Sequence, residues 1–257
     1  MLKKILLFVF SALTAFLFSS CNGSAPDSTV NSPADIEGKV IGVLENTVSA
    51  HYAAGFGTLR EYSTGEAMIA DLSAGAIDCA IANDAVISAL LGHSRKVRAL
   101  DAPFMSVDFC VVTAKESRDL LSEINRALSE LRADGTQTGL EQLYLTGMPF
   151  EYLPRTDIPE NAGTLRLAVP DSFPPYSISG NNGNLTGLDI ALARAICDKL
   201  GVNLEIIETN QTSIIKTVWS SRADFGMGGL FETPANTELV DFSAGYTPCR
   251  LRIITRK

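Results

Sequence analysis

The sequence predicts two α/β lobes of about equal size, each a largely parallel sheet covered by helices, and three observations predict it. Short apolar runs alternate with helical patterns from residue 39 onward, the signature of βα repeats. The alternation stops at 148–162, which carries Pro149, Pro154 and Pro159 without a steady period, and then resumes. Hydrophobic residues make up 46% of the 257-residue chain, enough for real cores in one or two domains.

In order, residues 39–44 read as a continuous apolar strand, 47–54 as a helix, 59–62 as a short strand and 65–74 as a helix. Strand 79–82 and helix 85–91 follow. Residues 119–134 form an amphipathic helix, because Leu121, Ile124, Leu128 and Leu131 step by three and four along one face, and Gly135 stops it. Beyond the proline-rich stretch come strand 164–169, a Pro-rich turn and helix 187–200. There Leu188, Leu192, Ile196 and Leu200 repeat every four residues and Gly201 ends the run. Strand 203–208, helix 212–221, strand 224–227 and a last strand 251–255 complete the series. The division expected is a leader at 1–20, a tether at 21–34, a lobe at 35–147, a linker between halves at 148–162 and a lobe at 163–257.

The leader opens with Lys3 and Lys4, runs uncharged and apolar from Ile5 to Phe18, and closes with Ser19-Ser20-Cys21. It is short for a membrane-spanning helix. Its end resembles the lipobox of bacterial lipoproteins, which implies that Cys21 is acylated and becomes the anchored N-terminus. A plain secretory signal or an N-terminal anchor helix are the alternatives, and all three place the remainder outside the cytoplasm, on the membrane in the lipoprotein case. Residues 22–33, rich in Ser, Asn, Pro and Gly, read as a flexible tether.

Loss of Lys3 and Lys4 takes the net charge from −8 to −10, which argues against nucleic acid as a partner. Cys79, Cys110, Cys197 and Cys249 follow no zinc or redox spacing; buried thiols and a disulfide within either half both remain open. His51 and His93 fall in no metal or Ser/His/Asp arrangement, and Gly226-Met227-Gly228-Gly229 lacks the dinucleotide pattern. No metal and no cofactor are expected.

Several ordered segments resemble the type II periplasmic solute-binding proteins of the amino-acid-binding, family 3 kind. Residues 165–169 resemble that family's opening strand and Phe173-Pro174-Pro175-Tyr176 its aromatic turn. Gly187-Leu188-Asp189-Ile190 resembles its first helix start, and Val240-Asp241-Phe242-Ser243 with Tyr246 its approach to the hinge. Residues 36–43, 75–80 and 133–136 resemble parts of the family's second lobe, so the lobes come in reversed order. The resemblance implies two Rossmann-like lobes, circularly permuted, with residues 148–162 joining the old termini and a single covalent crossing left between lobes; a truncated tandem array whose halves do not pair is the alternative.

It also implies a ligand held between lobes. Family members clamp an α-carboxylate with an arginine and an α-amino group with an aspartate; here Asn236 and Asn83 occupy those positions, with Asp84 beside the latter. Phe173, Tyr176 and Phe231 are the candidate apolar wall, although Tyr176 and Phe231 could equally be packed in the core. Asp171, Thr47 and Gly229 complete the candidate ligand-binding set. The function implied is capture of a small polar, amino-acid-like solute for an ABC-type permease, with no reaction. Alternatives are a cyclohexadienyl-dehydratase-like enzyme using Asp171, Glu232 or Asp84 as its acid, and a sensory or scaffolding lipoprotein with a degenerate pocket.

Overall fold

The computed structural model describes residues 30–159, 161–180 and 183–257. The leader, Cys21 and most of the tether lie outside the described residues. Among those described, no helix is long and apolar enough to cross a membrane.

The chain begins with a βα series: β1 (Val40–Leu44), α1 (Val48–Ala53), β2 (Thr58–Tyr62), α2 (Gly65–Ala74), β3 (Cys79–Asn83), α3 (Asp84–Gly92) and the long β4 (Val97–Phe109). It continues into β5 (Val112–Ala114), α4 (Arg118–Ala133) and α5 (Thr136–Glu141), which runs into a π-helical turn. A second series follows: β6 (Thr164–Pro170), the small hairpin β7 (Ile178–Ser179) and β8 (Leu185–Thr186), α6 (Leu188–Leu200), β9 (Asn203–Thr209) and α7 (Ile214–Trp219). Last come β10 (Phe225–Gly226), α8 (Pro234–Thr237), β11 (Val240–Phe242) and β12 (Thr247–Arg256). The fully buried face of α4, with Ile124, Ala127, Leu128 and Leu131, is the one its periodicity marks. Gly201, at φ 69°, ends α6 in the left-handed conformation that only glycine adopts cheaply.

The strands form two five-stranded sheets, in the orders β2-β1-β3-β12-β4 and β11-β5-β10-β6-β9. Read from opposite ends the two orders are the same. Each has three parallel strands, then an antiparallel strand donated by the other half, then a strand antiparallel to that guest. The halves therefore exchange strands. β4 leaves the first sheet and becomes β5 of the second, while β11 leaves the second and becomes β12 of the first. The two passages lie side by side and bond to each other: Tyr246 N–H donates to the Phe109 carbonyl at 2.7 Å, Ser243 N–H to the Val111 carbonyl at 2.9 Å, and Val111 N–H to Ser243 Oγ at 2.9 Å.

This topology corrects three expectations. The sheets are joined by two crossings, not one. Residues 112–147 belong with the second sheet, where α4 and α5 pack on α6, and β12 belongs to the first, so the halves do not divide at 147 and 163. Residues 148–162 thus connect two parts of the same lobe. Two of their side chains dock on it: Phe150 fills the space beside Gly139, and the Tyr152 hydroxyl donates to Asp198 Oδ2. Strand β4 and the guest role of β5 were missed because pairing with strands more than a hundred residues away leaves no local periodicity.

A continuous core runs through both sheets. It includes Ile41, Val43 and Ile81 on one side, Leu167, Val169 and Ile196 on the other, and Phe109, Tyr176 and Tyr246 at the junction. All four cysteines in the described region are free and buried.

Candidate functional site

In each sheet the three parallel strands point their carboxyl ends toward the opposite lobe, and a cavity of about 370 Å³ lies there. That is the place where open α/β sheets leave room for ligands, and the volume is within the range of small-molecule sites. Glu45, Thr47, Val48 and Ser49 come from the turn after β1, Tyr62 and Ser63 from the end of β2, and Asn83 from the end of β3. Across from them stand Ser172, Phe173 and Tyr176 after β6, Gln211 after β9 and Gly229 after β10. Phe109, Cys249 and Leu251, from the crossing strands, close the back.

Local chain geometry places these groups. Asn46 adopts φ 59°, which a short polar residue tolerates better than most, and so turns the chain from β1 into α1. Thr47 then holds the turn by donating its hydroxyl to the Leu44 carbonyl at 2.7 Å. On the opposite wall Gly229 has φ 71°, and a Cβ there would fall 2.7 Å from Phe173 Cζ, so the glycine makes room for the ring. A Cβ at Gly187 would overlap the Tyr176 carbonyl oxygen, so that glycine lets the aromatic turn sit on the start of α6.

The aromatic wall is a cluster. Phe173 and Tyr176 are stacked, with centroids 5.0 Å apart and planes at 21°, and Phe109 meets Tyr176 edge-on at 5.3 Å. Tyr176 is 1% exposed and yet lines the cavity, so it serves wall and core together. Asn83 Nδ2 donates to the Tyr176 hydroxyl at 3.2 Å across the gap, and Asn83 Oδ1 accepts from Ala85 N–H at 2.8 Å as the cap of α3. Burial pushes the Tyr176 phenol well above its usual range and the Cys249 thiol up to about 12, so both stay protonated. Cys79 and Cys197 also rise to about 12 and Cys110 to about 11, for the same reason. None is a thiolate at neutral pH. Among the described residues no group of three or more His, Cys, Asp or Glu side chains could hold a metal ion.

Of the residues singled out from sequence, the cavity brings together Thr47, Asn83, Phe173, Tyr176 and Gly229. It does not include Asp171, Asp84, Asn236 or Phe231. Asp171 is exposed, and its carbonyl accepts from Ser179 Oγ at 3.2 Å. Asp84 turns to Arg252 Nη1 at 3.4 Å. Asn236 sits in the short helix α8, whose start Thr233 caps. Phe231 packs against Tyr52 and His51, with centroids at 5.6 and 5.3 Å, beside a second cavity of about 330 Å³ that also holds Glu232. The sequence reading missed Glu45, Ser49, Tyr62, Ser63, Phe109, Ser172, Gln211 and Cys249. Several of these fall within two residues of a carboxyl end of a parallel strand, a positional signal that strand assignment already contained.

Residues 165–257 match the profile of bacterial extracellular solute-binding proteins, family 3. Similar curated proteins include the octopine-binding periplasmic protein of Rhizobium meliloti, 30% identical over 83 residues, which are 32% of this chain and 28% of that one. The arginine-binding extracellular protein ArtP of Bacillus subtilis is 31% identical over 93 residues, 36% of each chain. A cyclohexadienyl dehydratase of Pseudomonas aeruginosa is 26% identical over 69 residues, 27% of this chain and 26% of that one. The chain thus spans about a third of the length of the curated relatives it matches. The similarity to the bacterial extracellular solute-binding proteins of family 3 thus falls on residues 165–257, the part of the chain that carries β6 to β12.

Proposed function

We propose that the protein is an extracytoplasmic solute-binding lipoprotein, anchored to the membrane through Cys21, that captures a small polar solute between its lobes and delivers it to an ABC-type importer. The observation that carries this reading is the interlobe cavity, walled by the carboxyl ends of parallel strands from both sheets. Its walls come from separate lobes, so a solute seated there is held by both and favours the closed form over the open one. Within this reading the chain is a circular permutation: the family match occupies its last 93 residues, and the helices α4 and α5 that precede the 148–162 connection pack on that same lobe.

An enzymatic role has less support. The acids named as possible catalysts, Asp171, Asp84 and Glu232, all lie off the main cavity, and the one carboxylate on its wall, Glu45, is exposed in a turn. A general acid or base needs placement against the reacting group and a tuned environment.

A solute library screened by thermal shift tests the proposal. A captured solute at one hundred times its Kd raises Tm by roughly 5 °C or more, because it binds the folded state alone. A library of amino acids, amines, sugars and small anions with no such shift would sink the reading.

A further inference from the structure

We infer that the solute is a small organic cation that bears no carboxylate; this rests on the binding reading above and specifies its substrate class. Among the described residues the cavity wall holds no arginine, lysine or histidine. A carboxylate taken out of water there would find no counter-charge, and an unpaired buried anion is strongly unfavourable.

Arg252, next to Leu251 on the strand forming the back wall, is engaged elsewhere. Its Nε donates to the Leu100 carbonyl at 2.7 Å, and its two terminal nitrogens face Asp84 at 3.4 Å and Asp101 at 3.5 Å. It follows Leu251, whose side chain faces the cavity, but its own partners Leu100, Asp84 and Asp101 all lie off the cavity wall. Asn236, the residue aligned with the family's carboxylate clamp, lies outside the cavity and carries no charge.

The groups that are present suit a cation. Glu45 contributes the wall's one carboxylate, at the rim. Phe173 offers an aromatic surface of the kind that attracts ammonium and guanidinium groups. Hydroxyls of Thr47, Ser49, Ser63 and Ser172 accept hydrogen bonds from such donors. Removal of the leader leaves a net charge of −10, which favours approach of cations at low salt.

Calorimetric titration of the mature protein decides the matter. The probes are agmatine, a guanidinium cation without a carboxylate; putrescine; choline; and arginine, which adds an α-carboxylate to the agmatine frame. At least one of the first three is expected to bind ten-fold or more tightly than arginine. Glu45→Gln should weaken that binding about ten-fold with unchanged Tm, and the loss should shrink when salt is raised from 20 to 500 mM, as a through-space charge effect requires. Arginine binding as tightly as the best of the three amines, or a neutral or anionic solute binding while all three amines fail, overturns the proposal and leaves the solute-capture reading standing. Unchanged affinity in Glu45→Gln also overturns it. If nothing in the wider library binds, the capture reading itself falls.

Discussion

The two sheets are built to one plan and carry different chemistry. Each sets three parallel strands, a guest strand and an outer strand in the same order, and each aims its parallel carboxyl ends at the other. The first sheet offers oxygen atoms: Glu45, the hydroxyls of Thr47, Ser49 and Ser63, and the Asn83 amide. The second offers Phe173 stacked on Tyr176, with Gly229 shaped around the ring. Neither wall makes a site alone. In the capture reading proposed above, complementary chemistry on matched scaffolds would make ligand affinity depend on bringing the lobes together, and the two crossings at 109–111 and 243–246, bonded side by side, would be the place where the lobes pivot.

The sharpest way to break this comparison is to ask whether the lobes are separate. Phe109 is 1% exposed at the junction and touches both Phe173 and Tyr176. Phe109→Ala should cost about 3–5 kcal/mol and preserve a single unfolding transition, because the core is continuous. Two resolved calorimetric peaks would show that strand exchange does not couple the lobes.

Asp189 gives the next largest effect. It is fully buried at the first turn of α6, accepts from the Tyr246 hydroxyl at 2.8 Å, and its Oδ2 has no hydrogen-bond partner. Burial raises its carboxyl from the ordinary 3.8 to about 7. The folded state thus binds a proton that the unfolded chain releases near 3.8. This stabilisation is complete below that pH, falls away as pH rises toward 7, and is gone above it. Asp189→Asn, which keeps an acceptor for Tyr246, should raise stability by roughly 2–4 kcal/mol at pH 8 and change little at pH 4. Urea unfolding at the two pH values measures it, and an equal effect at both would refute the assignment.

Asn83 links the walls more weakly. Asn83→Ala removes the α3 cap and the contact with Tyr176, for a combined loss of about 1–2 kcal/mol. Small-angle scattering of the unliganded variant should show a larger radius of gyration if that bond helps hold the lobes together. The smallest effect is expected at Phe231. Because it lines the second cavity and packs on α1, Phe231→Leu should change solute affinity less than two-fold, whereas Phe173→Leu should reduce it about ten-fold.

The same contrast explains what could be read from sequence. Helices α4 and α6 were placed within a residue or so of their ends, because their apolar faces repeat with helical spacing and Gly135 and Gly201 mark left-handed stops. Thr47, Asn83 and Phe173 were singled out through the family resemblance, and the structure places each just after a parallel strand, where such sheets leave room for ligands. Asp84 and Phe231 were misplaced for a different reason. Asp84 follows Asn83, which faces the cavity, but packing sends it to Arg252, and Phe231 packs on Tyr52 beside the second cavity.

The sequence by itself determined the alternation of strands and helices, the turns that need glycine, and the resemblance of residues 165–257 to a solute-binding lobe, since each depends on residues near one another in the chain. Tertiary structure alone decided that β5 and β12 change sheets, that 148–162 stays within one lobe, and which side chains wall the cavity. Those outcomes depend on pairings more than a hundred residues apart, such as β12 with β4, and on the direction each side chain takes once its neighbours are packed.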